Sequence, residues 1–259
     1  MSKEGNTREV TKKEEGALAI NIFETDADKG TQNIMQEDLA LPFLKVLMPL
    51  SPEVNKRDGK YVEGAEPGMI FNSVTKELYD GAKGINVLPC HYLKQYIEWQ
   101  DRGTSIGAPV AIHKADSDIM SKVTRDKFNK DRLANGNYIE TTANHFVFLL
   151  GDNPSTALIP MKSTSLTVSR KWLTSMMGIK LQGKDGLFTP ATYSHIYNLK
   201  TVQMTNDKGT WFGWTYTKVG PVKDKSIYDM AKNFSERIAK GEVQAKDTSD
   251  SEKSESAPF

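Results

Sequence analysis

The amino-acid sequence predicts a mainly β protein: an OB-fold-like five-stranded barrel with a helix between strands 3 and 4, a C-terminal helix and disordered termini. Three observations lead there. Alternating apolar and polar residues run through Ile85–Trp99 without a helical period. Two strand-like stretches, Tyr193–Met204 and Thr210–Val219, flank Thr205-Asn206-Asp207-Lys208-Gly209, a hairpin signature. A helical pattern over Ser165–Met177 separates this hairpin from the earlier strands.

Taken in order, residues 1–36 are polar and charged apart from Ala17–Phe23, and read as a largely disordered N-terminal arm. Residues 37–241 form the folded domain. It opens with an apolar segment, Phe43–Leu50, and a short strand, Met69–Val74, before an Asp80-Gly81 turn. Along Ile85–Trp99 one face is expected to carry Leu88, Cys90, Tyr92, Lys94 and Tyr96, and the other Val87, His91, Leu93 and Ile97. Pro89 in that run calls for an edge strand or a bulge. Residues 101–143 are polar and lysine-rich and read as a long insertion with a helix around Ser117–Leu133. Strands resume at His145–Leu150 and Ala157–Met161, and Ser163 or Thr164 can cap the helix that follows. A last helix, Lys225–Lys240, spaces Ile227, Met230, Ala231, Phe234 and Ile238 on one side before Gly241 stops it. The acidic tail, residues 242–259, cannot form a core.

The near-neutral total charge conceals a partition. Residues 1–38 hold 5 Lys/Arg against 9 Asp/Glu and residues 242–259 hold 2 against 5, so the middle holds 27 against 19. A basic middle between acidic ends suits a polyanion binder, and equally an unevenly charged ordinary surface. The single cysteine, Cys90, excludes an intrachain disulfide framework and suits a reducing cytoplasm. No run is long and apolar enough for a membrane span, so no membrane partner is expected. Four scattered histidines and one cysteine offer no zinc spacing.

Phosphate-loop, nucleophile-elbow and zinc-protease motifs are missing, and Cys90 and His91 are strand neighbours that point to opposite faces. The expectation is a binding protein, not an enzyme, with no cofactor. Single-strand binding needs rings for unpaired bases and cations for phosphates. Tyr92, Lys94, Tyr96 and Trp99, followed by Arg102, supply the first such cluster. Trp211, with Trp214, Tyr216 and Lys218 of the following strand, supplies the second, although large aromatics in strands also build cores. Gly213 between them leaves room for a base or a neighbouring backbone. Lys162, Arg170 and Lys171 border the helix, whose Trp172 reads rather as a core anchor. Tyr193, Tyr197 and Lys200 complete the set, their faces open. Pro258-Phe259, an aromatic end on an acidic tail, can fill an apolar pocket while the carboxylate meets a cation.

The tail resembles the acidic, Pro-Phe-ending tips of bacterial single-stranded DNA-binding proteins and the Phe-ending tails of their T7-like phage counterparts, with Lys253 and Ser256-Ala257 as departures. Four stretches of the body resemble tailed-phage proteins described as single-stranded DNA-binding. They are Leu41-Pro42-Phe43-Leu44-Lys45-Val46-Leu47, Glu63-Gly64-Ala65-Glu66-Pro67-Gly68-Met69-Ile70-Phe71-Asn72, Met161-Lys162-Ser163-Thr164 and Asn206-Asp207-Lys208-Gly209-Thr210-Trp211-Phe212-Gly213-Trp214. The resemblance implies sequence-nonspecific single-stranded DNA binding in replication, recombination and repair, in the cytoplasm of an infected bacterial host. It also implies replication or recombination proteins as partners of the tail, and a possible homo-oligomer. A phage structural or host-takeover protein, or a metal-dependent nuclease, are the alternatives.

Overall fold

The computed structural model describes residues 22–27, 29–35, 38–101, 108–207 and 209–245. The chain divides into two units, residues 1–39 and 40–259. In the first, residues 22–25 make one helical turn with Ile22 and Phe23 exposed.

The second unit is mainly β, built on a curled half-barrel sheet. Its strands are β1 (Leu44–Val46), β2 (Ile70–Asn72), β3 (Leu78–Tyr79), β4 (Ile85–Trp99), β5 (Ala111–Lys114), β6 (Thr124–Arg125), β7 (Asp131–Arg132), β8 (Tyr138–Leu150), β9 (Ser155–Lys162), β10 (Leu181–Gly183), β11 (Gly186–Phe188), β12 (His195–Asn206) and β13 (Gly209–Pro221). The helices are α1 (Ser165–Met177) and α2 (Lys225–Ala239). The main sheet runs β13-β12-β4-β8-β7-β6, with β5 added to β4 and β9 to β8. β1, β2 and β3 form a separate meander, and β10 pairs only with β11. The helix expected after the third strand thus follows the ninth.

β4 lies in the interior of the sheet, not at an edge. Its proline is accommodated by a bulge: the register to β8 shifts between Pro89 and His91, leaving Cys90 as the extra residue. The bulge also reverses the expected faces. Val87 lies opposite Leu149, Tyr92 opposite His145 and Lys94 opposite Ala143, all odd-numbered residues of β8. Tyr92, Lys94 and Tyr96 therefore share the face of Val87, and Leu88 and Cys90 lie on the other.

Each face carries a core. Val87, Val147, Ile159, Met161, Tyr197, Leu199 and Trp214 meet Trp172 and Met176 of α1, with Leu44, Val46 and Ile70 from the meander. Leu88, Cys90, Phe146, Phe148 and Leu158 meet Ala231, Phe234 and Ile238 of α2. Phe43 fastens the meander to β9 by a parallel bridge to Leu158, whose N–H donates to Pro42 O at 2.8 Å. α2 begins at Asp224, whose carboxylate accepts from the N–H of Ser226 at 2.8 Å. α1 has no such cap: Thr164 makes no capping side-chain bond and Ser163 sits at φ 49°. Val243 is buried against the α2 core, so packing continues past the expected boundary at residue 241.

Residues 101–143 depart most from expectation. In place of a helix over Ser117–Leu133 stand a five-residue 3-10 helix, Asp118–Lys122, and the short strands β5, β6 and β7, followed by the start of β8. Asn129 at φ 61° turns the chain back where a helix would have to continue. The segment has a small core of Tyr96, Ile119 and Ile139. Beside it, buried Glu98 accepts from Asn137 at 2.6 Å and meets His113 at 3.0 Å; these bonds, Asn137's above all, hold its carboxyl below the usual range.

Gly81 has no room for a side chain. A Cβ there would lie 2.0 Å from Gly68 O and 2.1 Å from Thr201 Oγ1. Gly81→Ala should therefore lower the unfolding free energy by about 3 kcal/mol, checked by urea denaturation. His145 sets the acid behaviour. It is buried between Tyr92 and Trp172 with Nε2 2.7 Å from Ser169 Oγ, and burial pushes its pKa down to about 3. The unfolded chain protonates this imidazole near pH 6.5, and the folded chain only near 3. Its contribution is thus complete above pH 6.5 and is lost as pH falls toward 3, by up to about 1.4 kcal/mol per unit. Unfolding of the wild type across that range should show this slope, and His145→Gln should flatten it.

Candidate nucleic-acid interface

Where β4 ends and β8 begins, register alone builds an aromatic pair. Trp99 is directly opposite Tyr138. A lysine stands over each ring: Lys162 Nζ is 5.8 Å from the Trp99 centroid and Lys130 Nζ 4.2 Å from that of Tyr138. Each ammonium is also held by a carboxylate, Lys162 by Glu140 at 3.1 Å and Lys130 by Asp101 at 3.4 Å. All four of these side chains of the ring–lysine units are half-buried, so the rings and cations are restrained yet reachable.

Lys162 also lines a cleft of about 280 Å³ between β1, β9, β13 and the start of α1. Phe43, Lys45, Pro160, Phe212 and Trp214 form much of the rest of the wall. Lys45 repeats the ring–ammonium–carboxylate arrangement, 5.4 Å from the Phe71 centroid and 2.7 Å from the buried Glu53 carboxylate. Phe212 lies across Gly68, where a Cβ would come within 2.7 Å of the ring. A second, open cleft of about 340 Å³ joins Thr164 to Asn206, Gly209, Thr210 and Trp211. Thr164 and Ser165, neighbours in the chain, each line one cleft. Lys162 links the first cleft to Trp99. Aromatic surfaces and ammonium groups thus succeed one another from Phe212 through Lys162 to Trp99 and Tyr138. Chemically, such a succession can receive flat unsaturated rings and the anions that connect them.

The residues expected from sequence divide around this path. Trp99 and Lys162 are on it, Trp214 is in a wall but only 5% exposed, and Trp211 lines the second cleft, on the other face of β13 from Phe212 and Trp214. Tyr92, Lys94 and Tyr96 share a face as expected, but Trp99 lies on the opposite one. Tyr96 is buried, with Lys94 Nζ 4.8 Å above its ring, while Tyr92 leans on His145. Tyr197 is sealed beneath Trp172, and its ring has no face open to a base. Tyr216 is half-buried and stacks on Trp172, and Tyr193 packs edge-on against Tyr228. Lys218 is exposed near His195, whose pKa is lowered by burial and then by that charge. Lys200 shares the outer hairpin face with Trp211, because its partner Thr215 lies four residues from Trp211 along β13, with Gly213 between them on the same face. The space beside Gly213 is filled by Met204, whose Sδ would be 2.6 Å from a Cβ, not by a base. Arg170 and Lys171 are exposed on α1. Arg102, Pro258 and Phe259 lie outside the described residues.

Sequence reasoning missed Tyr138, Lys130 and Lys45. Tyr138 and Lys130 fell within the supposed insertion, where Asn135-Gly136-Asn137 before Tyr138 was the available signal for a turn into a strand. Cys90, buried with its thiol pushed up to about 12, is a packing group. Among the described residues, no helix is long and apolar enough to cross a membrane, and no cluster of His, Cys, Asp or Glu is placed to hold a metal ion.

No curated protein and no solved structure matches the chain. A family model described as Pam3 phage gp34-like protein matches residues 12–244, most of the chain. The protein therefore belongs to the Pam3 phage gp34-like family.

Proposed function

We propose that this phage-family protein binds single-stranded DNA without sequence preference, in the DNA replication, recombination and repair of an infected bacterial cell. The curled sheet serves as an OB-like platform for the strand. The observation that carries this reading is the ring–lysine unit at Trp99 and Lys162, continuous with an aromatic cleft. Bases stack on rings for roughly 1–3 kcal/mol each whatever their identity, and lysines meet the phosphates between them. In the free protein Lys162 covers the Trp99 ring and is held by Glu140. A phosphate that draws the ammonium away exposes the ring to the adjoining base, so the two contacts form together. Glu140 opposes this exchange by competing with the phosphate. The acidic segment that carries Pro258 and Phe259 recruits replication or recombination partners through an apolar pocket on their surface that takes the Phe259 ring.

Titration of oligo-dT into the full chain, followed by tryptophan fluorescence, should show quenching and an affinity that falls as salt rises. No binding at low salt would overturn the reading. Lys162→Ala should weaken binding about tenfold and make the dependence of log K on log salt shallower by about one. Glu140→Gln, which removes the competing charge, should instead tighten binding about threefold or more. Equal losses for both variants would mean that the ion pair only supports the fold.

A further inference from the structure

We propose that the limb formed by α1 and the β10–β11 hairpin is a second contact for single-stranded nucleic acid, resting on the function proposed above. Charge is the first observation. Residues 162–200 contain six Lys/Arg (Lys162, Arg170, Lys171, Lys180, Lys184 and Lys200) and one acidic residue, Asp185. No other stretch of comparable length in the folded unit is so one-sided, and Arg170, Lys171, Lys180 and Lys184 are exposed.

Apolar exposure is the second. β10 and β11 pair only with each other, and a lone two-stranded ribbon is marginally stable in water. Even so, it holds Leu181, Leu187 and Phe188 in solvent, with Met177 at the adjoining end of α1. Phe188 shares one face of the ribbon with Leu181, directly opposite it, and Leu187 lies on the other face. The Phe188 ring lies over Gly183 of the facing strand, where a Cβ would come within 3.1 Å, and the side chain is still 48% exposed. A ring supported by backbone beneath and open above is a stacking platform.

Basic side chains around an exposed ring and aliphatic groups complement a strand whose phosphates and base faces are both accessible. A duplex hides its base faces and meets only half of this chemistry. A membrane-surface element would present a continuous apolar face along a helix, whereas here the apolar groups sit mainly on two three-residue strands. The thirteen residues of α1, about 20 Å long, lie between Lys162 and the β10–β11 hairpin, so one strand of sufficient length spans both.

Phe188→Ala combined with Lys184→Ala alters only exposed or turn positions, and thermal melting will confirm that the fold is kept. The full chain, wild type and variant, should be titrated with a short oligo-dT and with one several times longer. The variant should bind the long oligonucleotide about tenfold more weakly and the short one as wild type does. A long strand carrying 5-iododeoxyuridine should cross-link to the peptide containing Phe188. Unchanged affinity for the long strand, with cross-links confined elsewhere, would overturn the inference and leave the proposed function standing. Pelleting of the wild type but not the variant with phosphatidylglycerol vesicles, with DNA binding unaltered, would also overturn it. Failure of the wild type to bind either oligonucleotide at low salt would remove the proposed function, and this inference with it.

Discussion

A proline in the middle of a central strand is a constraint that the surrounding sheet has to answer. β4 pairs with β8 along nearly its whole length, and with β12 and then β5 on its other edge. Pro89 can give no ladder hydrogen bond, and the extra residue Cys90 takes up the discontinuity. A bulge increases local twist, which helps a sheet of this width to curl instead of lying flat. It also shifts alternation by one residue. On one side of it Leu88 and Cys90 face α2; on the other, Tyr92 turns toward His145 and α1. The placement of Tyr92, Lys94 and Tyr96 on the face of Val87, and of Trp99 on the face of Leu88, follows from that single insertion.

Features with local causes were legible in the sequence. The alternation in Ile85–Trp99, the turn around Asp207, the helical spacing of α2 and its stop at Gly241 depend on neighbours within a few residues. The structure matches these closely. The faces of β4 were misread because Pro89 indicates a bulge without saying where the extra residue goes. Residues 101–143 were misread for a different reason. Their stabilising groups are polar, such as Glu98 with Asn137 and Arg132 with Asp126, so the segment lacks the apolar period that marks strands. The candidate site depends on register: Trp99 meets Tyr138 across some forty residues of sequence, and no local pattern predicts that encounter.

The three lysines along the path share a resting arrangement. Lys45, Lys130 and Lys162 each stand over a ring and beside a carboxylate. Cation and ring thus shield each other in the absence of a ligand, which keeps adhesive surface off the exterior of the protein. Glu53 is buried, and its pair with Lys45 is the more costly of these to disturb; the half-buried Glu140 pair is the more exchangeable.

The β12–β13 hairpin has a mechanical character set at its base. β12 pairs with β4 only from Tyr197 to Leu199, and Thr201 then ties it to two loops, its N–H donating to Gly81 O at 2.8 Å and its hydroxyl to Gly68 O at 2.5 Å. Phe212 on Gly68 adds a lateral support beside that tie. The three rungs beyond it, Met204–Trp211, Thr205–Thr210 and Asn206–Gly209, form a cantilever whose compliance is concentrated outside that clamp. Trp211 lies on the first of these rungs, so an angular deflection at the root carries its indole and one wall of the second cleft together.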